Sequence, residues 1–264
     1  MFNLTKLKAV LEEIAPLELS KKMIEQGGYD NSGIIVNSHE YVGGVMFALD
    51  LTEQVVAKAK RLKCDTIVTH HPAIYRPISS LGVDDVVSAP VLRAVENKIN
   101  VISMHLNLDV ADFGIDHYLA QGLGAKSSRI LSLIDGVHGY GREFAIDNIR
   151  LDGFVANVKR TFGTKKVICY GNKNAVIDKV ASFCGAGADN ALSAVKSGET
   201  DAQVIVTSDL PHHVISNLVC LGKSVVILTH FASENYGFKK FYESVSEKIG
   251  SLAYTCFFED KRLF

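Results

Sequence analysis

Residues 65–72, Asp-Thr-Ile-Val-Thr-His-His-Pro, join a short β-branched run to two adjacent histidines and a proline. The β-branched run predicts a buried strand that ends at the histidines. Neighbouring side chains of an extended segment point in opposite directions, so His70 and His71 can serve one centre only if the backbone turns there. Pro72 favours leaving the strand at that point. Alternatively, the two splayed imidazoles could reach two neighbouring metal ions.

Two later segments repeat this arrangement of an apolar run followed by a histidine. One run leads into His105, which is followed four residues later by Asp109. Another leads into His230, which is followed four residues later by Glu234; if a helix begins just after His230, this pair shares one helix face. Ligands of open α/β sheets bind outside the carboxyl ends of the strands. We therefore expect the three segments to bring imidazoles and carboxylates to one sheet edge, where they form a metal site.

The composition is that of an ordinary globular protein. Of the 264 residues, 47% are hydrophobic and 22% are charged, which allows one large α/β domain or two smaller ones. The net charge of −1 and the lack of a basic tract argue against nucleic acid as a partner, whereas a small anionic molecule is compatible with them. Five cysteines without a C-x-x-C pair indicate reduced thiols. Without a leader or a membrane-spanning run, we expect a cytoplasmic protein that contacts no membrane.

The order of the predicted elements indicates two units. Strand and helix signals alternate through residues 30–125, which is typical of a mostly parallel sheet with helices on its faces. Residues 126–224 predict a strand–loop–helix–strand unit of their own. We therefore expect an α/β protein with two α/β units, whose mostly parallel sheets are flanked by helices. Residues 1–125, completed by 225–264, would form the metal-site domain, and 126–224 would form an inserted second domain.

The candidate ligands favour a pair of metal ions over one. All of them offer nitrogen or oxygen, which suits zinc, iron, manganese, nickel or cobalt and does not choose among these. Five or six ligands exceed what one tetrahedral zinc site needs. Two divalent metal ions bridged by a carboxylate use the set more naturally, with Glu234 or Asp109 as the bridge. Such two-metal sites activate a water and clamp an oxyanion during hydrolysis.

Other residues are candidates for substrate contacts or proton transfer. His212 and His213 follow a predicted strand of the second unit, where substrate binding and a turn or capping role fit equally well. Asp209 fits a general acid or base if it faces the metals. Arg76 could meet a phosphate or carboxylate, with solvated surface as the alternative. The glycine-rich turn at residues 184–189 could hold an anion with its N–H groups, although a packing turn is favoured.

A series of short pieces resembles the NGG-interacting-factor-three-like (Nif-three-like) family, often labelled GTP cyclohydrolase 1 type 2. The matching pieces are Asp30-Asn31-Ser32-Gly33, Thr69-His70-His71-Pro72, His105 to Asp109, Gly114-Ile115-Asp116, the Cys184-Gly185-Ala186-Gly187 turn, and His230-x-x-x-Glu234 with Gly237. They occur in family order and span residues 30–237. No single piece is diagnostic, but together they are specific.

This resemblance implies a di-metal centre in the cleft between two α/β units, and a toroidal homohexamer. The metal ligands that it implies are His70, His71, Asp109, His230 and Glu234, with His105 adjacent. Two positions depart from the family: Tyr29 replaces the usual tryptophan, and Ser208-Asp209 replaces a usual Gly-Glu. The second departure weakens the transfer of substrate-handling roles to that segment.

These observations predict a di-metal-dependent hydrolase that acts on a nucleotide such as GTP, the substrate coming from the family label. Asp209 or His212 would shuttle protons, and His105 would adjoin the metals. The alternative is a non-catalytic protein that binds or delivers metal, or a regulatory scaffold that acts as a ring. A closed, ligand-saturated site would favour that alternative. A nucleic-acid-binding ring is a third hypothesis, which the near-neutral charge disfavours.

Overall fold

The structure is a computed structural model that describes residues 2–263. Its α-helices are α1 (Leu4–Ile14), α2 (Leu17–Glu25), α3 (Glu53–Arg61), α4 (Ser88–Glu96), α5 (Leu106–Val110), α6 (Ile115–Gly122), α7 (Leu151–Thr161), α8 (Ala188–Lys196), α9 (His212–Cys220) and α10 (His230–Ile249). Its strands are β1 (Gly33–Val36), β2 (Gly44–Ala48), β3 (Thr66–Thr69), β4 (Asn100–Ser103), β5 (Arg129–Leu133), β6 (Gly139–Arg150), β7 (Ile168–Tyr170), β8 (Val176–Ser182), β9 (Val204–Thr207), β10 (Ser224–Ile227) and β11 (Tyr254–Phe258). A short 3-10 helix, Gly250–Leu252, precedes β11.

The chain divides into two compact units whose boundaries differ from the predicted ones. One unit comprises the chain through Ala111 together with Phe238–Glu259, and the other comprises Asp112–Gly237 with the residues from Asp260. The second unit is larger than expected because β10 pairs with β9 and β7 in its sheet, and α6 packs on β6. The first turns of α10, which carry the predicted His230 and Glu234, therefore belong to the second unit.

The sheet of the first unit is mostly parallel, as predicted. Its strand order is β1-β4-β3-β2-β11, and only the edge strand β1 runs antiparallel to its neighbour. All four residues of the central strand β3 are buried, which is expected where helices cover both faces of a parallel sheet. The apolar core beside it includes Met46, Val56, Ile67 and Val101. Because β3 and β4 are parallel neighbours, their carboxyl ends meet at one edge.

The sheet of the second unit is mixed, and the prediction of a mostly parallel sheet is wrong here. The order is β5-β6-β8-β9-β10-β7, in which β8, β9 and β10 are parallel and the other pairs are antiparallel. The reason lies in the short connection between β5 and β6, where the Ile134 N–H donates to the His138 carbonyl at 2.9 Å. A hairpin of this length can join only antiparallel strands.

Two expectations from composition can be compared with the structure. The five cysteines are free, from the buried Cys64 to the exposed Cys220, which agrees with the predicted reduced thiols. Within residues 2–263, no helix has both the length and the apolar character needed to cross a bilayer.

Candidate metal centre

The chain turns immediately after β3, as the tandem histidines require. The backbone N–H groups of His70 and His71 both donate to the Leu49 carbonyl, at 3.2 and 3.0 Å. Thr69 Oγ1 also donates to the His71 carbonyl at 2.8 Å. Successive N–H groups of a strand point in opposite directions, so two that share one acceptor mark the end of the strand geometry. The turn places both imidazoles on one side, with ring centroids 4.9 Å apart.

His105 joins this pair from the neighbouring strand. It follows β4, whose last residue, Ser103, is the register partner of Thr69 in β3. One ring nitrogen from each of His70, His71 and His105 lies within 4.8 Å of the other two. The predicted convergence of histidines at one sheet edge is therefore present in the first unit.

Asp109 reaches the same group from a short helix that the sequence did not predict. Helix α5 begins after His105, whose carbonyl accepts from the Asp109 N–H at 3.0 Å. The buried Asn107 anchors this helix by donating from Nδ2 to the Ala15 carbonyl at 2.7 Å. The buried Asp109 carboxylate then lies with Oδ1 3.5 Å from His70 Nε2.

The three candidate histidines of the first unit, His70, His71 and His105, all use Nδ1 to bind an oxygen acceptor. The acceptors are the Met104 carbonyl, Asp50 Oδ1 and Asp30 Oδ1, at 2.8, 2.7 and 2.8 Å from the rings of His70, His71 and His105 respectively. When Nδ1 donates in this way, Nε2 is the nitrogen that can bind a metal, and the acceptor fixes the ring orientation. The sequence did not predict the roles of these acceptors. Asp50 carried a signal nonetheless, because it follows β2 at the same sheet edge.

Asp30 is held by a dense set of hydrogen bonds. Its Oδ2 accepts from the hydroxyls of Ser20 and Ser32 at 2.5 and 2.6 Å, and its Oδ1 accepts from the Asn31 N–H at 2.8 Å. Burial acts to raise the pKa of Asp30, but the hydrogen bond and charge of His105, with the two hydroxyls, outweigh it and lower the pKa to about 2. Asp30 is therefore an ionised partner for the His105 ring at neutral pH.

The second unit carries its own pair of candidate ligands at the start of α10. The helix begins at His230, as predicted, so His230 and Glu234 lie one turn apart on one face, with Nε2 and Oε1 separated by 3.0 Å. Glu234 is buried, with 2% of its surface exposed. The His230 Nδ1 binds Asp209 Oδ2, which repeats the pattern of the first unit. Asp209 has a φ of 53°, a left-handed conformation that non-glycine residues adopt infrequently.

The turn at Gly185 packs directly against this pair. Gly185 has a φ of +57°, and a Cβ there would lie 2.4 Å from Glu234 Oε1 and 3.4 Å from His230 Nε2. Its N–H donates to Ser233 Oγ at 3.1 Å, and its carbonyl accepts from Ser208 Oγ at 2.5 Å. Only glycine combines this backbone conformation with so close an approach. The predicted packing turn therefore packs against the candidate ligands themselves.

His212 lies in a different element from the predicted one. The sequence places it at the end of a strand, but it is the first residue of α9, after Pro211. Proline favours this boundary because its fixed φ suits the start of a helix. His212 and His213 are both exposed, and no candidate metal-binding group within residues 2–263 includes either of them.

Comparisons with known proteins find similarity over nearly the whole chain. A profile of the family described as Duf34/NIF3 (NGG1p interacting factor 3) matches residues 2–261. A Clostridium perfringens protein named GTP cyclohydrolase 1 type 2 homolog is 31% identical over 246 residues, which cover 92% of this chain and 90% of the relative. The NIF3 homolog of Schizosaccharomyces pombe is 28% identical over 87% of this chain and 84% of its own.

Solved structures agree with the fold. The crystal structure of a Bacillus cereus protein related to NIF3 superposes with a TM-score of 0.84, covering 98% of this chain and 97% of that protein at 19% identity. At this identity the likeness shows the architecture alone, with two sheets flanked by helices.

Proposed function

Because this chain belongs to the Duf34/NIF3 family, we propose that it is a di-metal-dependent hydrolase acting on a nucleotide such as GTP. In this proposal the ligands of the first unit, His70, His71 and Asp109, combine with His230 and Glu234 of the second unit. Together they form one di-metal centre in the cleft between the units. The name of the Clostridium perfringens relative, GTP cyclohydrolase 1 type 2 homolog, supports the choice of a nucleotide.

One observation carries the proposal. Each of the four candidate histidines has its Nδ1 bound by a carboxylate or a carbonyl oxygen. Metal-binding histidines almost always donate their other ring N–H in this way. His138 in the β5–β6 hairpin makes the same contact with Asp135 Oδ2 at 2.9 Å, but it belongs to no candidate metal-binding group of the described residues. The recurrence of the pattern in both units supports a metal-binding role for His70, His71 and His230, with His105 held in the same way beside them.

The donor set fits divalent metal ions. Imidazole nitrogens and carboxylate oxygens suit zinc, iron, manganese, nickel and cobalt, and the buried Asp109 and Glu234 supply the negative charge that such ions need. When bound, two such ions lower the pKa of water and stabilise developing negative charge on oxygen. The protein residues described below would hold protons and orient the rings.

His105 is the strongest of the three candidates for proton transfer. The ionised Asp30 keeps the ring proton on Nδ1, which leaves Nε2 as the nitrogen that can accept a proton. Asp209 holds the Nδ1 proton of His230 and has 52% of its side chain exposed, so it can also exchange protons with solvent. We keep His212 as the third candidate, on the exposed start of α9.

The first experiment measures metal content and turnover on the same samples. The protein is purified without a metal-affinity tag, metals are counted by plasma mass spectrometry, and hydrolysis is assayed against a panel of nucleotides that includes GTP. We expect about two ions per chain, as in other two-metal sites, and turnover that a chelator abolishes and added metal restores. Glu234→Gln should lose at least half of the bound metal while the far-UV circular dichroism spectrum is unchanged.

Glu247→Gln is the matched control for Glu234→Gln, since Glu247 lies exposed on the same helix, α10. It should keep the metal content of the original protein. Two ions per chain without turnover on any nucleotide would contradict the hydrolase and favour the non-catalytic metal-binding or scaffold protein. An absence of metal even after reconstitution would contradict the centre itself.

The homohexameric ring implied by the family resemblance is part of the same proposal. Light scattering coupled to size-exclusion chromatography measures it directly. A mass of one chain at micromolar concentration would contradict the ring.

A further inference from the structure

A cation and two aromatic rings form a cluster on the first unit, just beyond the histidine pair. The guanidinium Cζ of Arg76 lies 3.9 Å from the ring centroid of Tyr29 and 5.3 Å from that of Tyr75. The two tyrosine rings meet edge to face, with centroids 5.2 Å apart. We call Tyr29, Tyr75 and Arg76 the Arg76 platform.

Two loops are joined through this platform. Tyr75 donates its hydroxyl proton to the Tyr29 carbonyl at 3.2 Å, and Asn31 Nδ2 donates to the Ile74 carbonyl at 2.6 Å. These contacts fix the loop of Arg76 to the loop of Tyr29 without using the guanidinium N–H groups. A cation–π contact occupies the face of a guanidinium and leaves its hydrogen-bonding edges available.

Among the residues that the structure describes, no neighbouring acid neutralises the charge of Arg76. Within residues 2–263, its guanidinium forms no hydrogen bond or ion pair with another side chain, whereas exposed arginines such as Arg93 and Arg150 pair with carboxylates. Arg76 is thus an exposed cation held against two aromatic rings, and no other side chain of the described residues uses its N–H groups. Such an arginine matches the two oxygens of a phosphate or carboxylate.

The platform adjoins the candidate metal ligands. The rings of Tyr75 and His105 meet edge to face, with centroids 6.0 Å apart. The loop of Tyr29 also supplies the two groups that hold His105: Asp30, which binds its ring, and Ser32 Oγ, which accepts its backbone N–H at 3.0 Å. A movement of this loop would displace both His105 and Arg76, so the two are positioned together.

We propose that the Arg76 platform binds an oxyanion of the substrate, a phosphate or a carboxylate, beside the histidines. The inference rests on the proposed function, and it names the part of the substrate that this unit recognises. The candidate centre is rich in carboxylates, with Asp30, Asp50 and Asp109 around the three histidines. These carboxylates repel an anionic molecule, and a fixed arginine at the edge offsets that repulsion. The bidentate geometry of the guanidinium orients the anion as well as attracting it.

The test compares oxyanion binding by three variants of the full-length protein. Arg76→Gln removes the cation, Arg76→Lys keeps the charge but not the two-pronged geometry, and Arg61→Gln is the control. Arg61 is exposed at the end of α3 in the same unit, so the control changes the net charge equally. Inorganic phosphate and malonate are the probes, titrated by calorimetry into metal-loaded and metal-free protein, with metal content measured on each sample.

We expect Arg76→Gln to weaken binding of at least one probe by about 10-fold or more, because a hydrogen bond to a charged group is lost. Metal content should be unchanged. Arg76→Lys should recover only part of the affinity, and Arg61→Gln should bind as the original protein does. A preference for phosphate over malonate, or the reverse, supports the platform and identifies which oxyanion it takes.

Equal affinity in Arg76→Gln and the original protein would overturn the inference. So would an equal loss in Arg61→Gln, because the effect would then come from net charge alone. A different measurement would contradict the proposed function, namely an absence of bound metal or of turnover. Phosphate or malonate binding to metal-free protein still reports on Arg76 in that case.

Discussion

The two units build their candidate ligands in different ways. In the first unit, His70, His71 and His105 follow the ends of two neighbouring strands, and their ring partners come from distant parts of the chain. In the second unit, His230 and Glu234 lie on consecutive turns of one helix. The first arrangement depends on the assembly of a sheet, and the second depends on a single helix start.

The difference extends to how each set is supported. His70 is fully buried, and Asp30, which holds His105, has three further donors. The side chains of His230 and Asp209 are 34% and 52% exposed, and Glu234 is constrained by its contact with Gly185. Many buried contacts share the support in the first unit, whereas one glycine turn carries much of it in the second. A substitution at that glycine turn should therefore have a larger effect than the loss of any one support in the first unit.

Gly185→Ala should have the largest effect, because it acts on that glycine turn. The new methyl group would have to occupy space 2.4 Å from Glu234 Oε1, so Glu234 and the start of α10 must shift. We expect most of the bound metal to be lost, together with about 1–3 kcal/mol of unfolding free energy from backbone strain. Plasma mass spectrometry and urea unfolding measure the two effects.

Gly198→Ala is the control that separates the effect of the contact with Glu234 from the effect of backbone strain. Gly198 also has a positive φ, of +75°, but a Cβ there meets nothing within 4 Å. This variant should lose about 1–2 kcal/mol of unfolding free energy because its backbone is left-handed at that position, and it should keep its bound metal. Equal metal loss in both variants would mean that general destabilisation, and not the approach to Glu234, explains the result.

Asp30→Asn and Asp209→Asn compare the two ring partners directly. Each substitution preserves shape and removes the charge that holds a histidine Nδ1. Asp30→Asn should lower turnover by about 10- to 100-fold, the usual loss when such a partner is removed. Asp209→Asn should lower turnover less, because solvent can replace its hydrogen bond. Turnover measured at saturating metal ranks the two, and a larger loss in Asp209→Asn would reverse the proposed contrast.

His212→Gln should have the smallest effect on metal binding. His212 is exposed at the start of α9 and belongs to no candidate metal group of the described chain, so metal content should stay unchanged. A role in proton transfer would appear as a fall in kcat with little change in KM. His213→Gln is the control from the same helix turn. Metal loss in His212→Gln alone would identify it as a ligand.

Family membership and the helix face shared by His230 and Glu234 could both be predicted from sequence. The series of motifs between residues 30 and 237, taken together, predicted the family, and the profile match over residues 2–261 confirms it. The spacing of four residues suffices for the shared face, because an α-helix returns to the same side at that interval. The boundaries of the units could not be predicted in this way. These boundaries depend on which sheet β10 joins, and an apolar run of four residues is compatible with the sheet of the first unit as well as with that of the second.

The two errors in the second unit have separate physical causes. The mixed sheet was misread because a β-branched strand looks the same whether its neighbours are parallel or antiparallel, whereas His212 was misplaced because a helix begins after Pro211. The direction of a neighbour is decided by the connection, as the tight hairpin between β5 and β6 shows. The rings that Asp30 and Asp50 hold could not be predicted, since 75 and 21 residues of chain separate the carboxylates from them; for Asp50 only its place at the sheet edge could be.

The sequence by itself determined which residues could bind a metal and which of them lie on one helix turn. These properties depend on side-chain chemistry and on spacings of a few residues. Only the tertiary structure decided which oxygen holds each ring, why residue 185 must be glycine, and that Arg76 lies on Tyr29 with no acidic partner among the described residues. Such contacts join segments that are distant in the chain, and their geometry is fixed by the packing of whole sheets and loops.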